Sequence, residues 1–127
     1  MSKEKFYIEF VFDKASKSSL WEYISTSACL AEWFADSVDV DGKLYAFHWN
    51  NYIHEAEVIA IVPNNYIRFH WLDDENQATF FEFRLHKIEL TGGLSLVITD
   101  FADKNEKDSA IALWETQIRK LKRVLGL

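Results

Sequence analysis

The chain has 127 residues, of which 49% are hydrophobic and 16% aromatic. Such apolar content excludes disorder, and the length suits one domain over residues 1–127, burying roughly two-thirds of its unfolded surface without a metal or disulfide staple. The net charge of −6 speaks against a nucleic-acid partner, because a polyanion is held by a basic field that displaces its counterions.

Cys29 has no second cysteine to pair with, so an internal disulfide and a cysteine-based zinc site are both excluded. Between Ala28 and Leu30 it reads as a small buried hydrophobe. The N-terminal MSKEKFYIEF lacks the apolar run of a signal peptide, and no stretch reaches the roughly 18 to 20 apolar residues of a membrane span. A cytoplasmic protein with no membrane span is expected.

In chain order, Lys5 to Phe12 alternates, with Phe6, Ile8, Phe10 and Phe12 on one face, which is a strand. Ser16 to Ser19 can cap a short helix through LWEYI, and Ser27 a second one carrying Leu30, Trp33 and Phe34. Asp36, Asp39, Asp41 and Gly42 return the chain to turns around a short strand at Val38 to Val40. Strands follow at Lys43–Trp49, Ile53–Val62, Tyr66–Leu72, Thr79–Ile88 and Leu94–Phe101. Turn residues such as Pro63-Asn64-Asn65 and Gly92-Gly93 separate them, so an antiparallel meander is predicted.

The chain closes with a helix from about Glu106 to Leu125. Its apolar residues Ile111, Trp114, Ile118, Leu121 and Leu125 step by three and four along one face. Glu115 and Arg119 are spaced for a surface pair, and the basic residues near the end suit the helix dipole. The expected fold is therefore α+β: a strand, two short helices, then consecutive antiparallel strands and one long amphipathic helix. A curved sheet of about seven strands wrapped around that helix buries both apolar faces.

This order, carried by FYIEFVFDKASKSSLWEYIS, LAEWFAD, IVPNNYIRFHW and LSLVITDF ahead of a tryptophan-bearing helix, resembles the START-like, or Bet v 1-like, superfamily. It is most similar to the branch named after the activator of Hsp90 ATPase. The resemblance implies a helix-grip fold that holds a small hydrophobic or amphipathic molecule between sheet and helix. Some similar proteins are cyclases, some carriers, and some bind chaperones. Fold alone does not choose among them.

Motifs for chemistry are sparse. HEAEV, His54 to Val58, lacks the second histidine of a zinc-protease helix and reads as a strand, so no metal site is expected. His48, His70 and His86 fall opposite the apolar faces of their strands and are expected to be solvated or paired across strands. Glu55 and Glu57 share one face at roughly 7 Å spacing. The outer, solvated face is the expected place for them; the alternative puts one in a cavity with a raised pKa. Asp100, near the end of the last strand, is the second carboxylate to follow. Glu57 and Asp100 are the candidates for a catalytic base.

Aromatic residues carry the strongest signal. Of the 20 aromatics, 10 lie between Tyr45 and Phe83, and many align on inward faces. They form either a tightly packed core or the lining of an apolar pocket. In the pocket reading the ligand-binding residues are Trp33, Phe34, Phe47, Trp49, Phe69, Trp71, Phe81, Phe83 and Trp114, with Trp33 and Phe34 at the entrance. The expected function is then a noncatalytic binder of a small hydrophobic molecule or lipid, with no cofactor. Two alternatives stand beside it. One is a protein-interaction module with a protein partner docking on Asp36 to Asp41 or on a sheet edge. The other is a cyclase or hydrolase using Glu57 or Asp100.

Overall fold

Alternating side chains and short turns produce one antiparallel sheet of seven strands in the order β1-β7-β6-β5-β4-β3-β2. A computed structural model describes residues 3–127. The strands are β1 Glu4–Val11, β2 Ser37–Asp41, β3 Leu44–Trp49, β4 Tyr52–Val62, β5 Tyr66–Trp71, β6 Phe81–Lys87 and β7 Leu94–Ala102. Helices α1 Lys17–Ser25 and α2 Ser27–Leu30 lie between β1 and β2, and α3 Lys107–Val124 follows a 3-10 turn at Lys104–Glu106. The result is the helix-grip fold, with the sheet curved around α3. Among the described residues, no helix is long and apolar enough to cross a membrane.

Local chemistry sets the helix boundaries. Ser16 caps α1 by accepting from Ser19 N at 3.1 Å. The cap of α2 is Thr26, whose Oγ1 accepts from Cys29 N at 3.4 Å; Ser27, expected as the cap, is already inside the helix. Helix α3 buries Trp114, Ile118 and Leu121, three positions of the predicted stripe. Arg119 turns to Thr116 Oγ1 at 3.2 Å, so the expected pair with Glu115 does not form.

Register then fixes which face each strand residue occupies. Tyr45, Phe47, Ile67, Phe69, Phe81, Phe83, Leu96 and Ile98 point inward and form the core with Trp114, Ile118 and Leu121 of α3. Between Val58 and Ala60 the β4–β5 register shifts: Val58 lies opposite Phe69, yet Ala60 lies opposite Arg68. Ile59 is the extra residue of a β-bulge. The bulge turns Ile61 to the face of its partner Ile67, although sequence parity groups Ile61 with Glu55 and Glu57.

The outer face is not uniformly wet. Arg68 Nη2 reaches Glu82 Oε1 at 2.8 Å, and Arg84 Nε reaches Glu82 Oε2 at 3.0 Å. The two guanidiniums also lie over Phe80 and Tyr66, at 4.2 and 4.0 Å from the ring centroids, which covers the Glu82 carboxylate. His70 was expected to be solvated or paired across strands, and it is on this face. It is nevertheless buried, with Nδ1 2.8 Å from the Thr79 carbonyl and Nε2 without a partner. The β6 approach, Thr79 and Phe80, folds over the outer surface there, which strand parity alone does not reveal.

Candidate functional site

Trp33 and Phe34 are only 3% and 4% exposed, so the aromatic pair after α2 is a plug in the core. The turn continues past α2 because Phe34 N donates to Leu30 O at 2.8 Å. This carries the Phe34 ring between sheet and helix. There it stacks on Trp114 (centroids 5.8 Å apart, 16° between planes) and meets Phe47 edge-on at 4.9 Å. The Phe34 carbonyl accepts from Trp49 Nε1 at 3.1 Å and from Gln117 Nε2 at 3.2 Å. One backbone oxygen thus joins β3, α3 and the end of α2. Trp33 is fixed separately, its Nε1 donating to Tyr23 O at 2.8 Å.

Two open clefts flank this plug and share Phe34, Trp49, Leu113 and Gln117. One, of about 370 Å³, lies between α2 and α3, where Trp33, Glu32, Asp36 and Lys120 join the lining. The other, of about 340 Å³, lies between the sheet and the first half of α3. Its further lining is Tyr52, His54, Trp71, Asp100, Ala110 and Trp114, with no lysine or arginine. Leu113, 62% exposed, stands on the rim of both.

The second cleft holds Asp100 and His54. Asp100 is opposite Phe6 in the β1–β7 ladder, on the inward face with Leu96 and Ile98. Its Oδ2 accepts from Trp114 Nε1 at 2.9 Å and its Oδ1 from Phe101 N at 2.8 Å. Burial pushes the Asp100 carboxyl above the usual carboxylate range, and these two hydrogen bonds oppose the shift only in part. His54 stacks on Trp71, with ring centroids 3.9 Å apart and 11° between planes, and its Nε2 lies 3.0 Å from Asp73 Oδ1. Among the described residues, no three His, Cys, Asp or Glu side chains converge in a way that could hold a metal ion.

The residues proposed from the sequence divide by depth. Phe34, Trp49, Trp71 and Trp114 line the second cleft, and Trp33 lines the first. Phe47, Phe69, Phe81 and Phe83 are fully buried and pack against one another; none of them lines either cleft. Glu57 is exposed on the outer face, opposite His70 and Leu44, so it is separated by the sheet from Asp100. Tyr52, His54, Leu113 and Gln117 were missed. Tyr52 and His54 share strand parity with buried Ala56 and Val58, and that signal could have found them. Leu113 and Gln117 sit beside the α3 stripe, where periodicity marks a border but no partner.

With this geometry in view, comparison with known proteins identifies the family. A family model described as a START-like superfamily domain matches residues 1–127. The chain belongs to the START-like superfamily. Among solved START-like neighbours, the solution structure of BfR322 from Bacteroides fragilis is 43% identical, with a TM-score of 0.70, over 100% of this chain and 94% of that one. The Aha1 dimer from Colwellia psychrerythraea has a TM-score of 0.73 at 16% identity, covering 96% of this chain and 94% of the other. Protein MLL2253 from Mesorhizobium loti reaches a TM-score of 0.77 at 18% identity, covering 97% of each chain. The last two likenesses are of fold alone. No curated protein matches this chain.

Proposed function

We propose that this START-like chain acts as one domain that binds a small hydrophobic or amphipathic molecule in the cleft between the sheet and the first half of α3, without catalysing a reaction on it. The observation that carries this reading is the cleft itself: about 340 Å³, walled mainly by aromatic and aliphatic side chains, with a few polar groups at fixed positions. That is the common make-up of a small-molecule site, in which apolar walls supply affinity and a few polar atoms supply orientation. The aromatic core behind it is packed ring on ring, so a ligand would occupy the cleft without displacing Phe47, Phe69, Phe81 or Phe83. Of the two alternative candidate bases, Glu57 faces away from the cleft and only Asp100 lines it.

Native mass spectrometry of the protein purified from its own host, followed by denaturing extraction, tests the reading. A stoichiometric lipophilic mass is the expected result. Protein that arrives bare and also fails to take up added amphiphiles at millimolar concentration would sink it. A stoichiometric polypeptide in place of a small molecule would instead favour the protein-interaction alternative.

A further inference from the structure

Asp100 is an unusual group to find at the floor of an aromatic cleft. A carboxylate withdrawn from water is costly unless an opposite charge compensates it. Its two hydrogen-bond donors here, Trp114 Nε1 and Phe101 N, are both neutral. Lys3, whose charge reaches Asp100 and which lines a smaller pocket with it, is tied to Asp74 Oδ2 at 3.4 Å and does not line this cleft. The remaining polar groups of the lining are equally unable to neutralise it. His54 is directed to Asp73 at 3.0 Å, and Gln117 donates to the Phe34 carbonyl at 3.2 Å. Trp114 donates to the carboxylate and Trp49, Tyr52 and Trp71 line the same cleft, and indole and phenol rings attract cations through their quadrupoles.

We propose that the cleft selects an amphipathic amine, its ammonium group seated at the Asp100 carboxylate within the tryptophan walls and its apolar body lying toward Leu113 and Phe34. The inference rests on the binding reading above and names the ligand's chemical class. An ammonium supplies the charge that the site lacks and gains cation–π attraction from the same walls. A neutral alcohol fills the same space but leaves Asp100 uncompensated. A fatty or aryl carboxylate brings a second acid beside the first, which disfavours ionisation of both. The cleft should therefore rank ligands of one skeleton in the order amine, alcohol, acid.

The experiment is isothermal titration calorimetry of the full chain at pH 7 with 3-phenylpropylamine, 3-phenylpropanol and 3-phenylpropanoic acid. The amine should bind about tenfold or more tightly than the alcohol, which corresponds to one charge-assisted contact, and the acid should bind weakest. Asp100→Asn should remove the amine's advantage, with near-ultraviolet circular dichroism confirming that the variant is folded. The ranking within the natural protein needs no variant and stands by itself if Asp100→Asn fails to fold. Alcohol or acid binding as tightly as the amine would overturn the amine inference while leaving a binding cleft in place. Binding by none of the three would overturn the cleft as a ligand site, and the inference with it.

Discussion

The two halves of α3 meet the same sheet and do so differently. Its second half places Ile118 and Leu121, 2% and 0% exposed, in the closed core. Its first half carries Ala110, Leu113 and Trp114 over the β3–β5 side, where Trp49, Tyr52, His54 and Trp71 leave an open cleft. Apolar patterning is present in both halves, so hydrophobicity alone does not separate a core from a site. The difference lies in the groups at the seam. Branched aliphatics interdigitate to interior density, whereas the open half is edged by flat rings and floored by a carboxylate that no cation of the lining covers.

That contrast can be tested most forcefully in the ring-packed core behind the cleft. Phe69→Ala removes a fully buried ring that stacks on Phe81 at 4.8 Å. It should cost about 3–5 kcal/mol in urea unfolding and leave the cleft's lining untouched. A cost below about 1 kcal/mol would mean that the aromatic core relaxes around a hole, against the behaviour of packed cores. At the border between the halves, Trp114→Phe keeps most of the apolar contact but takes away the donor to Asp100 Oδ2. The expected loss is about 1–3 kcal/mol, the cost of leaving a buried acceptor unsatisfied, and it should be read by the same unfolding measurement.

The open side gives smaller effects with more specific signatures. Because burial raises the Asp100 pKa, the folded protein keeps that proton to higher pH than the unfolded chain does. The contribution of this group to stability is therefore fully favourable below the ordinary carboxylate range. It declines as pH rises from that range through the raised value. Asp100→Asn lacks this slope, so its stability relative to the natural protein should improve steadily from acid toward neutral pH; equal pH profiles for the two proteins would refute the burial argument. Leu113→Ser should do least to folding, within about 0.5 kcal/mol for so exposed a position. It should nevertheless weaken amphiphile binding in the titration above, and unchanged affinity would remove Leu113 from the rim.

Much of the fold was readable because a half-buried sheet writes period two into its sequence. Phe6, Ile8 and Phe10 alternate with Tyr7, Glu9 and Val11, and Ile111, Trp114 and Ile118 carry the helical period. The same periodicity places Asp100 on the face of Leu96 and Ile98, so that part of the site was within reach. Depth was not. Phe47 and Trp49 share a face, but whether a ring is enclosed or borders a cleft depends on what packs above it, and only the path of the Trp33–Phe34 turn across α3 settles that. One further misreading has the same origin. His70 is buried where Thr79 arrives from a loop and its carbonyl meets Nδ1, which alternation does not record.

The bulge at Ile59 also makes chain length and side-chain orientation separable within β4. In a regular strand, losing one residue rotates everything on one side of the deletion to the opposite face. Here Val58 and Ala60 already face consecutive residues of β5, Phe69 and Arg68, so deleting Ile59 would join two segments that are each in register. A chain one residue shorter at this point would keep Ala56 and Val58 against the core and Glu55 and Glu57 in water. Removing Glu57 instead would force the strand either to reposition the bulge or to carry a charge inward. Tolerance to insertion and deletion in β4 should therefore be concentrated at one position, as a relic of how the sheet bends.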